Sequence, residues 1–271
     1  MSSLYLPLIV SPQQLAGHLE YPDLLLVDLC SPEIAAVCHL PDANFVDYRK
    51  IVRIDKPVVG LVPDAASLSA LLASIGATPD KFIVAYDDEG GGRAARFLWT
   101  LEVLGHKQYA LLDGGIIAWA AGNFPISRDI TLAEQGNYPV SLKDHATANH
   151  TYILDHLNNA DVAIVDTRTP AEFSGEKKLA ARAGHIPGAI NFNWVDAMDP
   201  HRDLQLIDAA RLRSTFESMA ITPDKEIIVY CQSHHRSAHT FMVLKHLGYT
   251  HLRGYAGAWS DWGNRTDTPV E

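Results

Sequence analysis

The sequence predicts an α/β protein with two tandem domains, each a parallel sheet flanked by helices. The first observation is an internal repeat: ATPDKFIVAY, from Ala77, matches ITPDKEIIVY, from Ile221, and HLPDA, from His39, matches HIPGA, from His185. The second is that short apolar runs alternate with helical patterns in both copies. A period of roughly 140 residues is domain-sized and too long for a solenoid repeat.

The repeat predicts where the domains begin and end. The first domain is expected over residues 5–126 and the second over residues 148–271 of the 271-residue chain. Residues 127–147 have little apolar periodicity and match nothing in the other copy, so they are predicted to be the interdomain linker.

Apolar runs and capping residues predict the individual elements. Short apolar runs are typical of buried parallel strands, and they occur at Leu24–Val27, Ile83–Tyr86, Val162–Val165 and Ile227–Tyr230. Helices are expected to begin at Ser11-Pro12 and at Asp208, because both are favoured N-terminal signals. Trp119 and Trp262 occupy equivalent positions in the two copies, and we expect both in the core.

Composition excludes several classes of partner. The net charge is −10, which disfavours nonspecific nucleic-acid binding. No apolar run approaches membrane-spanning length, so no membrane partner is expected, and no Lys or Arg precedes Arg49, which counts against a secretory signal. Three cysteines are an odd number and favour a reducing cytoplasm over a disulfide framework. Cys30 and Cys38 are expected to be small buried thiols.

The loop that follows Tyr230 carries the candidate chemistry. Cys231 follows a buried strand, and a helical pattern begins a few residues later. Loop amides, the helix N-terminus and Arg236 should lower the pKa of the thiol and produce a nucleophilic thiolate. A buried structural cysteine is the alternative. The first copy has Asp87 where the second has Cys231, which predicts one working and one structural domain.

Other polar residues near this loop allow two interpretations each. His234 and His235 either carry partial positive charge that strengthens an anion site or are solvated loop side chains. A metal site of Cys231, His235 and His239 lacks a fourth ligand in the sequence, so no metal is predicted. Trp194 either lines the pocket or packs in the core.

Two charged residues lie at a predicted strand end in the second copy. Asp166 and Arg168 are expected to form a structural ion pair that supports the site without taking part in the chemistry.

Four motifs of the second half together resemble the rhodanese family of sulfurtransferases. They are VDTRTPAEF (Val165–Phe173), GHIPGA (Gly184–Ala189), YCQSHHRS (Tyr230–Ser237) and GYAGAWSDWGN (Gly254–Asn264). The whole chain resembles the tandem-domain form, and is most similar to the bacterial type known from Azotobacter, whose loop also carries a His-His-Arg run. In that form the first domain is inactive.

The resemblance implies sulfur transfer in two steps. Cys231 takes a sulfane sulfur from thiosulfate, becomes a persulfide, and passes the sulfur to cyanide or another thiophilic acceptor. The resemblance implies no cofactor beyond this covalent persulfide, and partners that are small molecules, with a protein acceptor not identified. It also implies a substrate-binding loop composed of Arg236, Gln232, Ser233, His234, His235 and Ser237.

Departures from the family pattern leave alternatives open. Mitochondrial-type thiosulfate enzymes have a second Arg where this chain has Glu172, and a loop Lys that this loop lacks. A 3-mercaptopyruvate sulfurtransferase is one alternative, although those enzymes have a Gly-Ser-Gly loop. Cysteine phosphatases and arsenate reductases need five residues between Cys and Arg, and the spacing from Cys231 to Arg236 is one residue short. A non-catalytic sulfur-carrier or binding module is disfavoured by the thiol beside Arg236.

Overall fold

The computed structural model describes residues 5–129 and 133–271. The described residues form two compact units: the first contains residues 5–51, 63–129, 133–143 and 199–206, and the second contains residues 52–62, 144–198 and 207–271. Within the predicted linker, residues 130–132 lie outside the described residues.

The elements of the first half alternate between strands and helices. In chain order they are β1 (Ile9–Val10), α1 (Pro12–Ala16), β2 (Leu24–Asp28), α2 (Pro32–Ala35), β3 (Asn44–Phe45), a 3₁₀ turn (Tyr48–Lys50), β4 (Arg53–Asp55), β5 (Val58–Leu61), α3 (Ala65–Ser74), β6 (Phe82–Tyr86), α4 (Gly92–Leu104), β7 (Tyr109–Leu112) and α5 (Gly115–Ala121).

The second half repeats this order. Its elements are β8 (Thr147–Ala148), α6 (His150–His156), β9 (Val162–Asp166), α7 (Pro170–Phe173), β10 (Ile190–Asn191), a 3₁₀ turn (Trp194–Ala197), β11 (Met198–Asp199), β12 (Gln205–Leu206), α8 (Ala209–Ser218), β13 (Glu226–Tyr230), α9 (Arg236–His246), β14 (Leu252–Tyr255) and α10 (Ala258–Trp262).

Each unit contains a five-stranded parallel sheet. The strand order is β1-β7-β6-β2-β3 in one and β8-β14-β13-β9-β10 in the other, so the two sheets have the same topology. The predicted fold class is therefore confirmed. The sequence did not reveal the edge strands β1 and β8, because two-residue strands carry no periodicity.

Burial explains why the predicted strands form the centre of each sheet. All five residues of β6 are buried, as are Ile227–Tyr230 of β13, which matches the continuous apolar runs expected of parallel strands. Trp119 and Trp262 are fully buried, as expected. Their indole N–H groups donate at 2.7 Å to the carbonyls of Pro125 and Pro269, which satisfies the one polar atom of each ring.

Side-chain caps fix the predicted helix starts. Ser11 and Gln14 form a capping box at α1, and the Asp208 carboxylate accepts from the N–H groups of Ala210 and Arg211 at α8. Both predicted starts are confirmed.

Two short segments belong to the compact unit that is formed mainly by the other half of the chain. The antiparallel hairpin β4–β5 lies in residues 52–62, which belong to the second unit although they are part of the first copy. Residues 199–206 belong to the first unit, where the N–H of Leu206 donates to Asp113 Oδ1 at 2.8 Å. The sequence did not predict this exchange, because it depends on contacts between residues far apart in the chain.

The first-copy cysteines differ from each other in burial. Cys30 is buried, as expected, but Cys38 is only half-buried, so that expectation was wrong. Cys38 follows α2, a short helix with no buried residue, and its neighbour Val37 is exposed. Across the parts of the chain that the structure describes, no helix has both the length and the apolarity to cross a bilayer.

The end of β9 is held by a buried ion pair. Arg168 Nε lies 3.0 Å from both carboxylate oxygens of Asp166, and its Nη2 donates to Asp166 Oδ2 at 2.6 Å and to the Gly184 carbonyl at 2.8 Å. The guanidinium also stacks over the Trp259 ring at 4.5 Å. The first copy has Cys30 at the position equivalent to Arg168. In both copies the backbone N–H of this residue donates to the Asp two residues earlier, which is Asp28 in the first copy and Asp166 in the second.

Removing Arg168 should destabilise the protein strongly. Both partners are almost completely buried, so Arg168→Ala leaves the Asp166 carboxylate without its counter-ion and should cost about 3–5 kcal/mol of unfolding free energy, measured by urea titration. Arg265→Ala is the matched control, because Arg265 pairs with the exposed Asp267 and should cost less than about 1 kcal/mol. Equal losses in the two variants would contradict the structural role of the buried pair.

Candidate active site

The site begins where β9 and β13 end side by side. Tyr230 is paired with Asp166 in the sheet, so Cys231 emerges next to Thr167, whose N–H donates to the Tyr230 carbonyl at 2.9 Å. The Cys231 backbone is fixed from the other side by α10, because its carbonyl accepts from the Trp259 N–H at 3.0 Å. The thiol therefore sits at the carboxyl edge of a parallel sheet, where α/β folds commonly place their sites.

Cys231 is completely buried, and the loop surrounds its sulfur with donors. Burial raises the pKa of the thiol, but the positive charge of Arg236, the Ser237 hydroxyl, and the N–H groups of Ser237 and Ser233 outweigh it and lower the pKa to about 7. An ordinary cysteine has a pKa near 8.5. Near neutral pH a large share of this thiol is therefore thiolate, the nucleophilic form.

Arg236 makes contact with two anions. Its Nη1 and Nη2 each donate at 2.8 Å to one oxygen of the Glu172 carboxylate, and its side chain also donates to the Cys231 sulfur. The guanidinium is partly buried and Glu172 is almost fully buried. Burial alone would raise the pKa of Glu172. The contacts with Arg236 and with the Thr169 hydroxyl outweigh burial and lower the pKa to about 2. The Glu172 carboxylate is therefore ionised near neutral pH. Arg236 interacts with two negatively charged groups, this carboxylate and the Cys231 thiolate.

The two loop histidines occupy different environments. His234 is fully buried, so the interpretation as a solvated side chain is wrong for it. It adopts φ = 54°, which lets the loop turn sharply, and its Nδ1 lies 2.7 Å from Ser237 Oγ. Since that hydroxyl donates to the thiolate, it accepts from Nδ1–H of His234. His235 is half-buried, and its ring lies 6.0 Å from the ring of Trp194.

Trp194 lies beside the loop on the 3₁₀ turn that follows β10. Its ring is half-buried and makes an edge contact with His239 at 5.4 Å. The backbone N–H of Trp194 donates to the carbonyl of Thr167 at 3.3 Å, which holds the residue near the end of β9. Within residues 5–129 and 133–271, no group of three or more His, Cys, Asp or Glu side chains is arranged to hold a metal ion.

Gln232 and Ser233 link the loop to neighbouring segments. The Gln232 side-chain amide donates to the Leu179 carbonyl at 3.2 Å, and the backbone carbonyl of Gln232 accepts from the Ser260 N–H at 3.0 Å. A side chain at Gly60 would have its Cβ 2.2 Å from the Ser233 carbonyl oxygen. The β4–β5 hairpin therefore packs backbone against backbone on the loop, which only glycine at position 60 allows.

Ser260 connects the same hairpin to the loop. Its hydroxyl accepts from the Val59 N–H at 3.0 Å, while its N–H holds the Gln232 carbonyl. A segment from the first copy of the sequence is thus part of the scaffold around the thiol.

The first copy has the same loop architecture with a different anion. The fully buried Asp87 follows β6, and its carboxylate accepts from the N–H groups of Glu89, Gly91 and Ala94 at 3.0, 2.7 and 3.0 Å. Burial and the charge of Glu89 raise the pKa of Asp87 to about 6 in spite of these donors. The loop amides thus surround a carboxylate where the second copy has a thiol, and a carboxylate cannot hold a sulfane sulfur.

Two residues of the site were not predicted from the sequence. Glu172 was noted only as a missing arginine, although Thr169 and Glu172 have the spacing of a capping box, which predicts a carboxylate fixed at a helix start. Gly60 gave no signal, because its neighbour Ser233 is far away in the sequence.

Comparisons with known proteins agree with this geometry. The family model for the rhodanese-like domain matches residues 11–122 and 149–265. The chain is 47% identical to a thiosulfate sulfurtransferase of Pseudomonas aeruginosa and 46% identical to one of Azotobacter vinelandii, in each case over 98% of this chain and 97% of the relative. The solved structure of the 3-mercaptopyruvate sulfotransferase SseA from Escherichia coli superimposes with a TM-score of 0.83 at 24% identity, covering 94% of this chain and 99% of that one.

The ionisation of Cys231 should depend on Arg236. Thiolate absorbance near the ultraviolet edge, corrected with Cys231→Ser, should titrate with a midpoint near pH 7. Arg236→Gln should raise that midpoint by about one to three units, because it removes the cation beside the sulfur. Cys30 and Cys38 should not interfere near neutrality, because burial raises their pKa values. An unchanged midpoint in Arg236→Gln would show that the Ser237 hydroxyl and the loop amides stabilise the thiolate without Arg236.

Gly60 should be needed for the loop geometry. Gly60→Ala forces a methyl group against the Ser233 carbonyl and should raise the thiol midpoint in the same titration, because it displaces the Ser233 N–H that donates to sulfur. Gly248→Ala is the control: its φ is also positive, but its Cβ would meet nothing within 4 Å. Both variants should lose some stability from backbone strain. The same midpoint in both would mean that the hairpin does not position the loop.

Proposed function

Because the chain belongs to the rhodanese family, we propose that it is a thiosulfate sulfurtransferase that carries sulfur as a persulfide on Cys231. The observation that carries the proposal is a buried thiol whose pKa is lowered to about 7 inside a ring of loop donors. The thiosulfate sulfurtransferase names of the two bacterial relatives support the choice of donor.

In the first step the Cys231 thiolate attacks the outer sulfur of thiosulfate. A sulfur–sulfur bond forms at Cys231, the bond to the sulfite sulfur breaks, and sulfite leaves with the electron pair. The product is a persulfide whose outer sulfur is anionic. The N–H groups of Ser233 and Ser237, fixed by the fold, stabilise negative charge at this position without reorganising.

In the second step a thiophilic acceptor removes the sulfur. Cyanide attacks the outer sulfur, the persulfide bond breaks, and the electron pair returns to Cys231 as thiolate, so that thiocyanate leaves and the enzyme is regenerated. The same lowered pKa helps both steps, since the thiolate is the nucleophile in the first and the leaving group in the second.

The remaining residues of the loop bind the donor or hold the loop in place. Arg236 provides the cation for the sulfonate end of thiosulfate, at the cost of sharing its charge with Glu172. Ser237 and His234 form a hydrogen-bonded pair behind the sulfur. Gln232, Ser233 and His235 form the rest of the substrate-binding loop. Asp166 and Arg168 support the strand end and take no part in the chemistry.

The proposal extends to partners and setting. It needs no cofactor besides the covalent persulfide. Its partners are a small-molecule sulfur donor and a thiophilic acceptor, with a protein thiol as a second class of acceptor. A reducing cytoplasm suits an enzyme whose nucleophile must remain a free thiol. The first copy supports the second without chemistry of its own, because Asp87 occupies the position of the thiol.

Sulfur loading of the intact protein tests this function. Mass spectrometry should show the gain of one sulfur atom after thiosulfate and its loss after cyanide. Cys231→Ser should gain none, while the double variant Cys30→Ala/Cys38→Ala should load like the wild type. Arg236→Gln should lower kcat/KM for thiosulfate about tenfold to a hundredfold, because a charge-assisted contact is lost.

Three outcomes would contradict the proposed nucleophile, donor or reaction. Loading of Cys231→Ser would mean that another group is the nucleophile. Loading from 3-mercaptopyruvate but not from thiosulfate would assign the protein to the other donor class. Hydrolysis of an aryl phosphate without any sulfur loading would indicate a cysteine phosphatase.

A further inference from the structure

We infer that Glu172 determines the charge of the sulfur donor that this site accepts, by holding the guanidinium of Arg236 in a two-point ion pair. The inference rests on the proposed function, because it concerns the donor that loads Cys231. Glu172 would act through Arg236 and not on the reacting atoms, so it is a specificity-determining residue and not a catalytic one.

The Glu172 carboxylate is fixed before any donor arrives. Its Oε2 accepts from the Thr169 hydroxyl at 2.7 Å, from the Thr169 N–H at 3.2 Å and from Arg236 Nη1 at 2.8 Å, while its Oε1 accepts from Nη2. The side chain is 2% exposed, so solvent screens it weakly. The pair cannot separate without leaving a buried carboxylate unpaired, which is costly.

This pairing changes the charge that a donor meets. The Cys231 thiolate and the Glu172 carboxylate contribute two negative charges, and Arg236 contributes one positive charge. The nearby charge of Arg168 is already matched by Asp166. These groups therefore sum to one net negative charge, although the loop carries an arginine. A donor with two negative charges is opposed more strongly than a donor with one.

The hydrogen-bond geometry of Arg236 points in the same direction. A guanidinium recognises a sulfonate best through two parallel N–H···O bonds. Both terminal nitrogens of Arg236 already donate to Glu172, each at 2.8 Å, and the side chain also donates to Cys231. The end-on pair of N–H groups is thus occupied, so a donor must use the remaining N–H groups of a guanidinium that already interacts with Glu172. We therefore expect Glu172 to disfavour a doubly charged donor, such as thiosulfate, relative to a singly charged thiosulfonate.

Two donors with the same reacting atoms isolate the effect of charge. Thiosulfate carries two negative charges, and methanethiosulfonate carries one. In each case the Cys231 thiolate attacks the outer sulfur, the bond to the oxidised sulfur breaks, and sulfite or methanesulfinate leaves with the electron pair. The protein product is the same persulfide, so a difference between the donors reports on recognition.

The test compares KM for the two donors in the full-length protein. Glu172→Gln removes the charge but keeps the shape, and it should lower KM for thiosulfate about threefold to tenfold more than KM for methanethiosulfonate. The change should appear mainly in KM, because the group acts on binding. Glu172→Met is a second charge-removing variant with a side chain suited to a buried position, and it should shift the ratio in the same direction.

Three control variants separate charge from structure. Thr169→Val removes the hydroxyl that holds Glu172 but keeps the charge, and should leave the KM ratio unchanged. Glu172→Asp keeps the charge at a shorter length and should shift the ratio less than Glu172→Gln does. Glu226→Gln removes a carboxylate that pairs with Arg253 in the same unit, and tests for a general effect of net charge.

The outcomes are distinguishable from failure of the proposed function. If the wild type loads sulfur from neither donor, the proposed function itself fails. If it loads from both, but Glu172→Gln and Glu172→Met change both KM values equally, Glu172 does not select by charge and the inference is overturned. Unfolding of both charge-removing variants while Glu172→Asp stays folded would make the carboxylate a requirement of the fold and would also overturn it.

Discussion

The site depends on one cation that lies between two anions. Arg236 contacts the Cys231 sulfur and forms a two-point ion pair with Glu172, and all three groups are held at the carboxyl edge of a parallel sheet. The contact with sulfur keeps the thiol partly ionised near neutrality, in spite of complete burial. The contact with Glu172 limits how much positive charge remains for a donor. We therefore propose that the same guanidinium affects both the reactivity of the thiol and the recognition of the donor.

The duplication shows what the loop requires and what the chemistry requires. In both copies a central buried strand ends in a loop whose amides surround an anion, a carboxylate at Asp87 and a thiol at Cys231. Both loops thus surround an anion with backbone N–H groups, and we propose that the thiol is what makes the second loop reactive. The first copy retains a structural part in the site, because its β4–β5 hairpin reaches the active loop through Gly60 and Ser260.

Local patterns in the sequence predicted most of the fold and pointed to the candidate nucleophile, because strands, helix caps and the loop motif are encoded by neighbouring residues. Cys231 and Arg236 could be found in this way. The ion pair of Arg236 with Glu172 and the contact of Gly60 with Ser233 could not, because each joins segments that only the folded chain brings together. The exchange of short segments between the compact units has the same cause, and the predicted boundaries at residues 5–126 and 148–271 remain predictions.

The most direct test of this account is the pH dependence of the first sulfur transfer, measured in a single turnover with thiosulfate and rapid quenching. If the Cys231 thiolate is the nucleophile and its pKa is about 7, the rate should rise through a midpoint near pH 7 and then level off. A rate that rises only around the ordinary cysteine pKa, near 8.5, or that does not change across both values, would contradict the claim that the loop and Arg236 hold an activated thiolate.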